Sequence, residues 1–147
     1  MKRHTALIQL SREHHVALVL AKRAIQGSES DPEAVKHVAA EVARVFASDF
    51  EPHFQLEEKR LLPALMQAGQ RKAVERTLAE HAELRALVGQ GSINHPENLR
   101  RFGHALAEHV RYEERELFPL AESVLKEDAL KSLWDDPDGA FTLQAIA

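Results

Sequence analysis

The sequence predicts an all-α protein, an antiparallel up-down-up-down four-helix bundle with a short C-terminal helix or tail. Three observations carry that expectation. Apolar residues recur at three- and four-residue spacing, no segment alternates as a strand would, and four turn-rich sites divide the 147 residues into helix-length pieces. A chain of this length suits one ordinary domain with a core of its own. Residues about 5–126 are expected to form the bundle and 127–147 a C-terminal extension.

The first helix carries Leu7, Leu10, Leu18, Ala21 and Ile25 on one face. It ends at Gly27-Ser28-Glu29-Ser30-Asp31-Pro32, where Asp31 reads as an N-cap and Pro32 suits the first position of the next helix. The second helix shows Val35, Val42, Phe46, Phe50 and Ala64 and closes at Ala68-Gly69-Gln70. Val74, Leu78, Leu84 and Val88 mark the third, which runs out in the loop from Gly89 to Pro96. Phe102, Leu106, Leu120 and Val124 mark the fourth. Pro52, Pro63 and Pro119 fall inside helical patterns, where each removes a hydrogen bond, so helices two and four are expected to bend or fray there without stopping. Leu130, Leu133 and Trp134 suit a short capping helix. Beyond Asp135-Asp136-Pro137-Asp138-Gly139, the segment 140–147 has enough apolar surface to dock on the bundle or on a second subunit, which leaves monomer and homodimer both open.

Composition narrows the function classes. Nineteen Lys and Arg against 23 Asp and Glu leave a net charge of −4, without the basic stripe that nucleic-acid or anionic-membrane binding needs. The absence of Cys removes disulfides, thiolate catalysis and thiolate-bound clusters. No apolar run approaches a bilayer span, and the first segment is broken by Gln9, Ser11, Arg12 and Glu13, so a cytoplasmic protein is the default expectation. Nine His stand beside one Trp and one Tyr.

The histidines fall on the apolar faces. On a wheel of about 100° per residue, His14 lies roughly 20° from Leu7, and His15 about 80° away at the margin. His53, His81 and His109 are bracketed by the apolar residues of helices two, three and four. One such His is most simply a buried imidazole with a satisfied hydrogen bond. Four, one per helix, would each cost about 1–3 kcal/mol per unsatisfied group unless they shared a partner, and a metal removes that cost for all together. Glu57 and Glu113 follow His53 and His109 by four residues, one turn along the same face. Surface salt bridges are the bland reading of both, but a carboxylate facing the core needs a cation.

The two halves echo each other: residues 53–63 and 109–119 both read H-x-x-x-E-E-x-x-L-hydrophobic-P, and Glu13-His14 and Glu80-His81 give a weaker echo. Four imidazoles and two carboxylates suit iron, manganese or zinc. Six groups exceed one tetrahedral site, so two ions are more economical. With both glutamates bridging, an oxo or hydroxo bridge would leave open positions for O2, NO, peroxide or water.

The order H…H-x-x-x-E…H…H-x-x-x-E resembles the hemerythrin-like, or HHE cation-binding, family over about residues 5–126. The resemblance implies an antiparallel bundle around a non-haem di-iron centre, with zinc or manganese as substitute ions. His14, His53, His81 and His109 would be terminal ligands and Glu57 and Glu113 bridges. Oxygen-carrying hemerythrins have a second His one turn from the third-helix His and an H-x-x-x-x-D pair. Here Thr77 and Arg85 flank His81 by one turn, and Glu113 follows His109 by four. One ion loses an imidazole, a position for which Glu58, Glu114 and Asp49 are the candidates. Arg60 and Glu116 occupy equivalent repeat positions and either pair across the bundle or snorkel to solvent. His4, His15, His37, His95 and His104 read as surface residues, with His15 the rival to His14.

Other chemistries lack their residues. None of the 17 Glu has a His three positions later, which removes the ferritin-like pattern, and no H-E-x-x-H or phosphate-binding glycine loop occurs. A serine hydrolase would need a strand-to-helix elbow. Three classes survive: a binder or sensor of O2, NO or iron, a di-iron oxidoreductase acting on peroxide or NO, and a purely structural metal site. The first is favoured, because no substrate-positioning groups beyond the ligands are legible.

Overall fold

Helical periodicity becomes helix along nearly all of residues 2–135, which are the residues described by a computed structural model of the chain, and no strand occurs among them. Helix α1 spans Thr5–Ser28, its start capped by His4, whose Nδ1 accepts from the Ala6 N–H at 3.0 Å. A second helical stretch, α2 (32–67), begins behind the expected cap, with the Asp31 carboxylate accepting from the Ala34 N–H at 2.9 Å. Helix α3 is Arg71–Val88, and a 3-10 turn, Gly89–Asn94, passes left-handed through Gln90 and Gly91 to reach α4 (96–124). The short α5, Glu127–Lys131, supplies the expected C-terminal helix, with Leu130 and Leu133 buried after it packs back. The apolar tail 140–147 lies outside the described residues. No helix among those described is long and apolar enough to cross a membrane.

Helices α2 and α4 continue through their prolines by a different route from fraying. Stretch α2 contains π-helical turns at Phe46–Phe50 and Glu57–Leu61, and α4 one at Glu113–Leu117. Pro52, Pro63 and Pro119 each stand second in the α-helical piece that follows such a turn. The hydrogen-bond step changes there, so the missing proline N–H coincides with the switch.

Each π turn inserts about one residue and rotates the downstream face, which corrects the expected core. Leu61, Leu62 and Leu65 are buried where Ala64 was expected, and Leu117, Phe118 and Ala121 where Leu120 and Val124 were. The expectation also fails at Leu18 and Leu78, which are 40 % and 43 % exposed. Among the buried positions, Leu7, Leu10, His14, Ala17, Ala21 and Ala24 on α1 and Val74, Thr77, His81 and Leu84 on α3 alternate by three and four, with Leu20, Gly27 and Leu87 buried beside them. That is a 3.5-residue seam, and it drifts away from a rigid 100° wheel by about 20° per heptad.

Two apolar cores result. One gathers Phe46, Phe50, Phe54, Phe102, Leu84 and Leu106, and the other Leu7, Leu10, Leu56, Leu65, Leu117 and Phe118. Between them lie all seven buried polar residues of the described chain: His14, His53, Glu57, Thr77, His81, His109 and Glu113. The bundle is thus a polar slab held between two greasy ends.

Close approach of α1 and α4 depends on Gly103, where an added Cβ would sit 2.6 Å from the Ala21 carbonyl oxygen and 2.6 Å from Ile25 Cγ1. Gly103→Ala is expected to destabilise the bundle by about 1–3 kcal/mol in urea unfolding. Gly89→Ala, with open space around the new methyl, should stay within about 0.5 kcal/mol of the parent.

Candidate metal centre

Four helical stretches each contribute an imidazole to the slab, and α2 and α4 add a carboxylate one turn on. Their ligand-capable atoms form two groups, His14, His53, Glu57, Glu113 and Glu57, His81, His109, Glu113, each with all four atoms within 4.8 Å of one another. Both groups contain both glutamates. The six residues singled out from the sequence therefore meet in one place, as two clusters sharing an edge. Glu57 and Glu113 have no exposed surface.

Bonding inside the slab is incomplete in an informative way. His14 Nε2 lies 2.8 Å from Glu113 Oε1 and His81 Nε2 3.1 Å from Glu57 Oε1, both as hydrogen bonds. His53 Nε2 is 3.2 Å from Glu57 Oε2 and His109 Nε2 3.1 Å from Glu113 Oε2. Those two contacts have the distance of a bond without its angle, and Glu57 Oε2, Glu113 Oε2 and His109 Nε2 make no hydrogen bond at all. Buried polar atoms left like this are costly. Atoms that converge on a point without bonding each other are what a cation at that point would satisfy, and imidazole with carboxylate is a donor set that iron, manganese and zinc accept. The residues fit a metal.

Electrostatics agree with the geometry. Burial opposes charge on His109, yet Glu113, with help from Glu80, raises its imidazole to about 10. Burial likewise opposes charge on His14, His53 and His81, and the surrounding carboxylates still raise all three. Burial pushes Glu113 up, but His109, His14 and His53 hold it well below the usual carboxylate range. Without a metal, protons supply the positive charge that the two buried glutamates require. Aromatic rings hold the imidazoles from their apolar sides: Phe54 stacks on His81 with centroids 3.9 Å apart, and Phe118 on His14 at 5.4 Å.

A family model for the hemerythrin HHE cation-binding domain matches residues 5–121. The chain belongs to that family. No curated protein and no solved structure matches it. The match spans α1 to α4 and contains every residue of the slab, so cation binding is the family property that this HHE domain carries in its core.

The remaining candidates sort themselves by position. His15, the rival to His14, is exposed, as are His37, His95 and His104, while His4 reaches Glu127 at 3.0 Å. Asp49 is exposed in the first π turn and accepts from the Ser48 hydroxyl, because the inserted residue swings it outward. Glu58 and Glu114 stand on the far side of the imidazoles, bonded to Nδ1 of His81 and His14 at 2.6 Å each. Glu116 is 65 % exposed and lies 3.6 Å from Arg76. At the positions where oxygen carriers would place a further His, Thr77 donates to the Ala73 carbonyl and Arg85 donates to Glu51 and Glu58. Sequence reasoning missed two residues, Glu13 and Glu80, which bond Nδ1 of His53 and His109 at 2.7 Å. The Glu-His doublets were their signal.

Metal coordination needs the Nε2 lone pair, so loading displaces a proton from each charged ring. Metal titration at pH 7 is expected to release roughly two to four protons per chain, read by calorimetry in buffers of different ionisation enthalpy. Because these imidazoles are raised in the metal-free state, affinity should fall as pH is lowered.

Proposed function

We propose that this HHE domain is a non-haem di-iron-binding protein, one domain with its four long helical stretches in up-down-up-down order, whose centre binds or senses O2, NO or iron itself. The single observation that carries the reading is the sharing of both buried glutamates by two four-residue clusters. His14 and His53 would serve one ion, His81 and His109 the other, and Glu57 and Glu113 both. The direction of the helices is supported by contacts whose numbering runs opposite ways, such as Arg3 with Glu122 and His14 with Glu113, or Arg85 with Glu51 and His81 with Glu57.

Iron would supply one-electron redox chemistry and open coordination positions. The chain's own part is to hold and to exclude. Two imidazoles and two carboxylate oxygens per ion fall short of the six that octahedral iron prefers, which leaves room for an exogenous ligand. A small cavity of about 10 Å³ borders the centre, lined by Glu13, His14, His53 and His109, with Phe50, Phe54 and Leu106 on its apolar walls. That is about the space one water needs, so the cavity admits only the smallest guests. The one carboxylate on its lining, Glu13, is engaged by His53 Nδ1 at 2.7 Å.

His53→Ala and Glu113→Ala are expected to lose metal and to lower Tm together by roughly 5 °C or more, since a ligand bound only to the folded state stabilises it. His37→Ala, on the exposed face of α2, should do neither. Iron-loaded protein should hold two irons per chain and shift its optical spectrum on addition of O2 or NO. Steady peroxide or NO turnover would assign an oxidoreductase instead, and a colourless zinc-only protein a structural site.

A further inference from the structure

Each core imidazole has a second nitrogen, Nδ1, and each of the four bonds a different glutamate from a neighbouring helix. Glu13 of α1 takes His53 of α2 at 2.7 Å, and Glu58 of α2 takes His81 of α3 at 2.6 Å. Glu80 of α3 takes His109 of α4 at 2.7 Å, and Glu114 of α4 takes His14 of α1 at 2.6 Å. The four bonds run α1 to α2 to α3 to α4 and back to α1. They close a ring around the bundle at the level of the slab. Every member sits next in sequence to a core residue (His14, Glu57, His81, Glu113), so one backbone position serves the inner cluster and its neighbour reaches across to hold the adjacent helix.

Two consequences follow from elementary chemistry. A carboxylate on Nδ1 keeps the proton there, turns the ring, and makes the inward Nε2 the nitrogen whose proton a metal would displace. Four outer carboxylates added to two inner ones also place six formal negative charges around the centre. Three arginines answer them from outside: Arg85 on Glu58 at 2.8 Å, Arg76 on Glu80 at 2.9 Å and Arg3 on Glu114 at 3.3 Å. Arg85 and Arg76 are 33 % and 48 % exposed against 22 % and 26 % for Glu58 and Glu80, so water screens these arginines more than the acids they meet. Glu13, 15 % exposed, has no arginine among these three, and only at Arg3 and Glu114 is the order reversed. The surplus left at the centre is negative and stabilises higher cationic charge more than lower.

We propose that Glu13, Glu58, Glu80 and Glu114 form a closed ring of positioning residues that aims the four Nε2 atoms inward and biases the ions of the centre toward their higher oxidation state. The inference rests on the proposed occupancy by iron. A centre so biased resists return to the reduced pair, which suits one-way sensing of an oxidant better than reversible carriage.

The test compares iron-loaded full-length protein with Glu80→Gln and Arg76→Ala. Gln keeps an oxygen that can accept from Nδ1 and removes one charge. Arg76→Ala leaves the ring intact and removes the opposing charge. Iron per chain, circular dichroism and the midpoint potential by spectroelectrochemistry are measured, the electrode supplying one electron per ion reduced. Glu80→Gln is expected to retain iron and move the equilibrium toward the reduced ions by about tenfold, and Arg76→Ala to move it the other way by about threefold. Glu80→Ala should lower iron occupancy, which Gln restores. A fully loaded Glu80→Gln protein with an unchanged potential overturns the proposal, as do two shifts in the same direction. If Glu80→Gln fails to fold, an unmoved potential in Arg76→Ala overturns it alone. Parent protein that takes up no iron fails the reading of function itself, a result separate from all of these.

Discussion

Two glutamates without exposed surface, Glu57 and Glu113, are the constraint around which this bundle is organised. Carboxylates in an apolar interior require positive charge close by. One imidazole from each of four helices meets that need, as a cation itself or as the ligand of one. The arrangement explains why the slab carries the seven buried polar residues of the described chain and why apolar cores stand on both sides of it: the ends supply the burial that a charged middle cannot.

The π turns belong to the same constraint. Two of the three begin at a buried glutamate, at Glu57 and at Glu113, and each is followed by a proline in the second position of the next piece. π turns recur where function requires a local departure from the α step. Here the inserted residue comes directly after the glutamate. The His-to-Glu spacing upstream keeps its single α turn, and the downstream face rotates so that Leu61 and Leu62, or Leu117 and Phe118, close the core beneath the slab. Pro63 and Pro119 bar a return to uninterrupted α-helix. The repeated sequence block is thus a repeated piece of geometry: imidazole, carboxylate, outer carboxylate, π turn, apolar lid.

Around the inner six, the glutamates Glu13, Glu58, Glu80 and Glu114 tie the helices to one another as well as to the imidazoles. Arg85 shows how the two layers interlock. It donates to Glu51 and Glu58, and it lies 5.6 Å from the Phe54 ring that itself stacks on His81. A position one turn from His81 that could have carried another imidazole instead secures the helix-two acids. The buried His and Glu cluster and the helix packing are consequently one network, and a change at either is felt by the other.

Periodicity and spacing were enough to determine an all-helical fold over the described residues, the four main stretches, the cap at Asp31 and the six His and Glu residues of the slab, because an i, i+4 pair on an apolar face has the same consequence in any bundle. The glutamates of the outer ring were legible only as doublets and repeats, since a carboxylate beside a core residue does not announce which neighbouring helix it will reach. Asp49, Ala64 and Leu18 were misplaced for a related reason. A rigid wheel assumes an unbroken α step and a straight axis, while inserted π turns and a 3.5-residue seam accumulate rotation along the helix. Local pattern decided which side chains enter the core; the packing of one helix against the next decided which nitrogen meets which acid, because that pairing depends on distances between segments far apart in the chain.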